Sequence, residues 1–365
     1  MSIRRLAGFG LGWIGRGDVT VETSTLPMPG GTTLPMVRVA RPGSDPRPAW
    51  VALHGITRPG PEHPQLVRFA RAVAMSGASV VIPEIAPWRE LRLDTGAAGA
   101  VVRATLDALE RDPRVIGPPG LIGFSFGGPQ VIRIAADPGL GPRLAGVASF
   151  GGFADIEAML RFQMTGIVEE EDRVRRLQPD PYARWIIAAN YLPLVEEGGQ
   201  EGGGLTPVAE ALAALAREAG DRRTPSWDPV YDPRKEQLAS GLAADQRELF
   251  RLFAPPSESD PAGQNAEVDA WIARLVAAAR RGAPDLELTQ GMKLHTAVHI
   301  LHGRNDRLVP WTEAHRLAAR IASPRPSTTV TALFAHSGGD SDGPLADALE
   351  AWRLAGALRR VLAIP

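Results

Sequence analysis

Gly123-Phe-Ser125-Phe-Gly127 sets a serine between two glycines, and its surroundings give that spacing a chemical meaning. Leu121-Ile122 reads as the end of a short apolar strand. Gly128-Pro-Gln-Val-Ile-Arg-Ile-Ala-Ala136 reads as a helix, with Pro129 in the first turn, where a missing N–H is harmless. A strand, a sharp turn and a helix with small flanking residues present a serine hydroxyl as a nucleophile. Serine is weakly nucleophilic alone, so a base must take its proton and an acid must orient the base.

On this type of scaffold the partners follow the serine in the order acid, then histidine. His336, in Ala335-His-Ser-Gly-Gly339, follows a strand-like run ending near Phe334 and is the expected base. Asp306 closes His302-Gly-Arg-Asn-Asp306 just after a run ending at Leu301 and is the expected acid, while Asp155, after Phe150-Gly-Gly-Phe-Ala, is an alternative. Acyl chemistry also needs two N–H donors for the developing oxyanion. Phe126 supplies one, and Ile56, in His54-Gly-Ile-Thr57, supplies the other, with Gly55 letting the backbone turn and His54 bracing the loop.

These residues need a scaffold that brings strand ends together. Met36–Ala40, Trp50–His54, Ala78–Pro83, Gly120–Phe124 and Leu144–Phe150 are short apolar runs bounded by Gly or Pro. Helical spacing of Leu66, Phe69, Ala70, Val73 and Ala74, and of Val101, Val102, Thr105, Leu106 and Leu109, lies between them. Strand and helix in alternation predict an α/β fold, a mostly parallel doubly wound sheet. From Ile156 to Leu294 the alternation gives way to helical patterns over 155–166, 180–197, 207–221, 233–253 and 266–282. Strands resume at Ala297–Leu301 and Thr328–Phe334, and a helix from about Leu345 to Leu362 closes the chain. The expected division is a discontinuous core, 1–155 and 295–365, with a helical cap over 156–294 whose two ends emerge on the sheet edge bearing Ser125. Trp185, Tyr191 and Trp271 are candidates to line a pocket beneath it.

Composition narrows the possible functions. The chain has 365 residues, 40 basic against 41 acidic, so no electrostatic grip on nucleic acid is expected. It has no cysteine, hence no disulfide frame, thiolate metal site or cysteine nucleophile. No run approaches the ~18–20 apolar residues of a membrane span. Arg4-Arg5 before a short, glycine-diluted apolar stretch lacks a cleavage site, so a cytoplasmic location is expected.

Trp50-Val-Ala-Leu-His-Gly55, Gly123-Phe-Ser-Phe-Gly127, Ile300-Leu-His-Gly-Arg-Asn-Asp-Arg-Leu-Val-Pro310 and His336 together resemble the α/β-hydrolase superfamily, nearest its dienelactone-hydrolase-like and prolyl-oligopeptidase-like serine hydrolases. The resemblance covers residues ~35–155 and ~295–365. It implies Ser125 as nucleophile, Asp306 as acid and His336 as base, with Gly123 and Gly127 supporting the turn. Dienelactone hydrolases proper use a cysteine, which this chain lacks. A small-molecule acyl substrate is expected, with no cofactor and no metal. Peptide or amide hydrolysis, acyl transfer, or a non-catalytic binding role on the same fold are the alternatives.

Other motifs read as structural. Gly10-Leu-Gly-Trp-Ile-Gly15 fits a dinucleotide-binding glycine pattern, but no strand precedes it. His295, His299 and His302 lie on a β-like segment whose alternation separates His302 from the other two. Glu169–Asp172 followed by Arg173, Arg175 and Arg176 reads as a solvated helix face.

Overall fold

The computed structural model of the chain describes residues 3–170, 173–197, 200–201, 203–222, 224–259, 261, 263–333 and 344–365. Its centre is an eight-stranded sheet. The strands are β1 (Thr20–Pro27), β2 (Thr33–Ala40), β3 (Ala49–Leu53), β4 (Ser79–Pro83), β5 (Gly120–Phe124), β6 (Gly146–Phe150), β7 (Ala297–Gly303) and β8 (Pro326–Thr331). They lie in the order β1-β2-β4-β3-β5-β6-β7-β8. β3 to β8 run parallel and β2 is antiparallel to both its neighbours. β3, β4 and β6 are buried along their whole length, as strands covered on both faces must be, which is why their apolar runs are continuous. β1 escaped the apolar-run criterion because it is an edge strand, exposed at every position but Leu26.

Helices cover both faces, and two apolar clusters fill the layers. On one face lie α1 (Ile3–Trp13), α2 (Pro64–Met75) and the closing α12 (Pro344–Val361); on the other lie α3 (Ala97–Glu110) and α4 (Gly127–Ala136). The N-terminal glycines serve this packing. Gly8 and Gly12 sit four residues apart on α1, where a Cβ would collide with the backbone of Met75 and Ala72 in α2. No helix among the described residues is long and apolar enough to cross a membrane.

Between β6 and β7 the chain forms α5 (Ile156–Thr165), α6 (Tyr182–Tyr191), α7 (Thr206–Arg222), α8 (Asp232–Ser240), α9 (Ala244–Phe253) and α10 (Ala266–Gly282). The helical pattern over 233–253 is two helices, α8 and α9, divided at Gly241. The acidic and basic run is a β-hairpin, not a helix face: Ile167–Glu170 pairs antiparallel with Arg173–Arg176, Glu170 opposite Arg173 and Ile167 opposite Arg176. Val168 is buried within it.

The two ends of this segment do not share a sheet edge. Asp155 follows the C-terminal end of β6, but Ala297 pairs with Gly146, so β7 starts beside the start of β6, at the opposite edge. A parallel neighbour can only be entered from there; Glu287 Oε1, beyond α10, still accepts from Ile156 N at 2.9 Å beside the end of β6, so the chain descends in residues 288–296. The upper junction is fixed by Glu313, on α11 (Thr312–Ala319), whose fully buried Oε2 accepts from Ala154 N and Asp155 N at 2.8 Å each. Burial pushes this carboxyl up, and Arg316 with the two amides opposes the shift. Glu313→Leu leaves two buried amides unpaired and is expected to cost about 3 kcal/mol, whereas Glu313→Gln keeps an acceptor and costs under about 1 kcal/mol. Urea-unfolding midpoints of the two variants check this; equal losses would remove the hydrogen bonds from the account.

Candidate active site

β5 ends at Phe124 and α4 begins at Gly127, leaving two residues to turn the chain from strand to helix. Ser125 does so with φ +53°; Leu91 is the other non-glycine residue at positive φ among the described residues. Such a conformation costs roughly 1–3 kcal/mol and persists only where the surroundings enforce it. They do so here. Ser125 N donates to Phe150 O at 2.8 Å and Gly128 N to Ser125 O at 2.8 Å. A Cβ on Gly123 would overlap the carbonyl of Gly127, and one on Gly127 would lie 3.2 Å from the carbonyl oxygens of Leu53 and His54. Gly55 is not at positive φ; its lack of a side chain lets the loop after β3 approach the elbow, since a Cβ there would stand 3.1 Å from Ser125 Cβ.

Ile56 follows Gly55 in this loop, half-buried and packed against the larger apolar cluster. Phe126 precedes the first residue of α4, so its N–H lies at the helix N-terminus, where amides have no partner within the helix. The Phe126 ring is held edge-on to Trp88 at 5.2 Å and stacked on Phe153 at 6.2 Å. Trp88 meets His54 edge-on at 5.6 Å. His54 braces the loop: Ile85 N donates to its Nε2 at 3.0 Å, which leaves the proton on Nδ1 to donate to Gly55 O at 2.7 Å. Burial lowers its pKa to about 4, so the ring is neutral through the neutral range.

Asp306 lies fully buried on the turn after β7. Its Oδ1 accepts from Leu308 N at 2.9 Å and Val309 N at 3.0 Å. His302, on β7, stands beneath this turn, with Nε2 at 3.0 Å from Val309 O and 3.8 Å from Asp306 Oδ2. His299 faces away from it, its Nδ1 2.5 Å from Ser327 Oγ. Asp155 is otherwise employed. Its Oδ1 caps α5 by accepting from Glu157 N at 2.9 Å and Ala158 N at 3.1 Å, and its Oδ2 meets Arg320 at 3.4 Å. His336 lies outside the described residues.

Several contacts that sequence reading missed come from the segment between β6 and β7. Arg58, two residues beyond Ile56, pairs with Asp221 of α7 at 2.9 Å and exchanges hydrogen bonds with the Arg89 backbone and side chain. Gln163 of α5 donates to the carbonyls of Arg307 and Leu308, and Asp180 N donates to Arg307 O at 2.7 Å. Gln163 had a signal in the sequence: it falls on the apolar stripe of Ile156, Met159 and Leu160, where an amide is out of place unless bonded. Trp185 and Tyr191 are both buried within the segment between β6 and β7. Trp185 is fully buried between Tyr231 and Lys235, with Nε1 donating to Phe253 O at 3.1 Å, and Tyr191 is buried beside it on α6. Trp271 packs edge-on to Phe253 under Arg274.

The neutrality of His54 makes a prediction with a definite sign. Its folded pKa, about 4, lies below the unfolded value of 6.5. The stability it contributes is therefore present above pH 6.5 and is lost as pH falls toward 4, by about 3 kcal/mol. In His54→Gln, urea-unfolding free energies should lose that slope, so the wild-type advantage shrinks by about this amount from pH 7 to pH 4. Parallel curves would contradict it.

No protein-family model matches the chain, and no curated protein does. Solved structures similar to it include 2,6-dihydroxy-pseudo-oxynicotine hydrolase, at 16% identity and a TM-score of 0.44 over 94% of this chain and 68% of that one. Another is 2-hydroxy-6-oxo-6-phenylhexa-2,4-dienoate hydrolase from Rhodococcus sp. strain RHA1, at 16% identity and 0.45 over 95% of this chain and 100% of that one. Dienelactone hydrolase from Anabaena variabilis is similar at 11% identity and 0.43, over 94% of this chain and 99% of that one. The fold itself is read from the chain's own geometry: the order of the eight strands, the antiparallel second strand and the strained serine between β5 and α4 make it an α/β-hydrolase fold.

Proposed function

We propose that the chain is a serine hydrolase that cleaves carboxylic esters or related acyl bonds of small molecules through an acyl-enzyme. The observation that carries this reading is the elbow: a serine at φ +53° between β5 and α4, with the loop after β3 packed against it. A strained turn that three glycines accommodate, at the C-terminal edge of a parallel sheet, is what a nucleophile needs and what an ordinary connection avoids.

In this reading Ser125 Oγ attacks the substrate carbonyl carbon while His336 takes the hydroxyl proton. The carbonyl oxygen becomes an oxyanion that the N–H groups of Ile56 and Phe126 stabilise. Collapse of the tetrahedral intermediate breaks the acyl–oxygen bond, and His336 returns the proton to the departing alcohol. Water then attacks the acyl-enzyme by the same route, releasing a carboxylic acid and restoring Ser125. Asp306 orients His336 and stabilises its charged form. His54, neutral with a pKa of about 4, holds the oxyanion loop and takes no part in proton transfer. Residues 156–294 act as a cap that limits entry to small or slender acyl groups, a role supported by their contacts with both the oxyanion loop and the turn bearing Asp306.

Ser125→Ala is expected to lower kcat on p-nitrophenyl esters on the order of 10⁴-fold or more and to abolish labelling by a fluorophosphonate. A tenth of wild-type activity surviving in a clean preparation would overturn the mechanism. Asp306→Asn should lower kcat by about 10³–10⁴-fold, since the wrong imidazole tautomer is then favoured. Asp155→Asn, which preserves a helix cap, should change kcat by less than about threefold. The reverse ranking would move the acid to Asp155.

A further inference from the structure

Resting on the assignment of Asp306 as the acid, we propose that Gln163 is a positioning residue for it, reaching from the inserted segment to set the carboxylate through the backbone of the turn. Gln163 is fully buried on α5, and its Nε2 donates to Leu308 O at 2.8 Å and to Arg307 O at 3.2 Å. Two carbonyl acceptors fix the amide's orientation, because only the NH₂ end can donate.

The two carbonyls belong to particular peptide planes. Arg307 O and Leu308 N share one peptide group, and Leu308 O and Val309 N share the next. Leu308 N and Val309 N are the two donors that hold Asp306 Oδ1, at 2.9 and 3.0 Å. Gln163 thus grips the oxygen ends of the same two peptides whose N–H ends grip the acid. In a trans peptide C=O and N–H point in opposite directions, so a fixed carbonyl fixes the N–H. Hydrogen bonding at the oxygen also strengthens the N–H as a donor.

The neighbours hold Gln163 for this task. Arg184, itself buried, donates to the Gln163 carbonyl at 3.1 Å. Asp180 N adds a bond to Arg307 O at 2.7 Å, and Arg307 Nε donates to Gln178 O at 2.7 Å. Gln163 Oε1, also buried, has no hydrogen-bond partner among the described residues, so the residue is present for its donors alone. A leucine would suit the stripe of Ile156, Met159 and Leu160 better if packing were all that mattered here.

The test is a double-mutant cycle with Gln163→Leu and Asp306→Asn, read by steady-state kinetics on a p-nitrophenyl ester and by the rate of fluorophosphonate labelling. Gln163→Leu alone should lower kcat by about 10–100-fold with KM within about threefold, and slow labelling to a similar degree. In the Asp306→Asn background the same substitution should change kcat less than about twofold, because the group through which it acts is already disabled. Equal losses in both backgrounds would make Gln163 merely structural and overturn the proposal. An Asp306→Asn enzyme with wild-type kcat would instead remove the acid assignment beneath it, so the two failures are distinguishable. If Gln163→Leu does not fold, Gln163→Met, of similar length and without an N–H donor, carries the same cycle and the same criteria.

Discussion

The site depends on one backbone constraint, the positive φ of Ser125. A serine does not hold that conformation by preference, and roughly 1–3 kcal/mol must be offset elsewhere. The sheet supplies this through bonds that continue just past its strand ends: Ser125 N to Phe150 O at 2.8 Å, and Gly151 N to Leu301 O at 2.9 Å. Three neighbouring strands are therefore tied at the height of the serine. The glycines at 123, 127 and 55 follow from the same constraint, because the strand, helix and loop converge too closely for a Cβ. Each answers to close approach, not to left-handed backbone.

The aromatic floor works at the next level. Phe126 must remain still if its N–H is to remain aimed, and its ring is locked by Trp88 and Phe153. Trp88 in turn packs on His54, which joins the loop after β3 to Ile85. A neutral histidine is the side chain that can accept at one nitrogen and donate at the other in a dry site; its depressed pKa is the electrostatic consequence of that burial.

The sequence disclosed what periodicity and turn chemistry encode. Buried parallel strands gave continuous apolar runs, and the glycine-flanked Ser125 stood between a strand and a helix, so the core and its elbow could be read almost to the residue. β1 could not, because an exposed edge strand carries no apolar signal. The charged run at 169–176 misled because an acidic block followed by a basic one suits a solvated helix face as well as a pair of strands, and only the pairing between strands decides between them. Trp185 shows the limit for the pocket: aromatics on helices mark burial, and burial within the inserted segment cannot be told from burial against a ligand without the packing itself.

Long-range pairing was the least readable part, for a reason that also bears on how the site forms. Gln163 and Leu308 are separated by 145 residues, Arg58 and Asp221 by 163, and Glu313 and Ala154 by 159. No local pattern records such partners; each side chain looks ordinary within its own helix or loop. Closing such loops costs conformational entropy before the contact is gained, so these bonds form only when the whole chain between them has found its place. The turn carrying Asp306 and the loop carrying Ile56 are each held by one bond set from the core and another from the segment between β6 and β7. An arrangement of that kind makes the inserted segment part of the scaffold of the site, so that changes to its packing act on the turn bearing Asp306 as well as on the loop bearing Ile56.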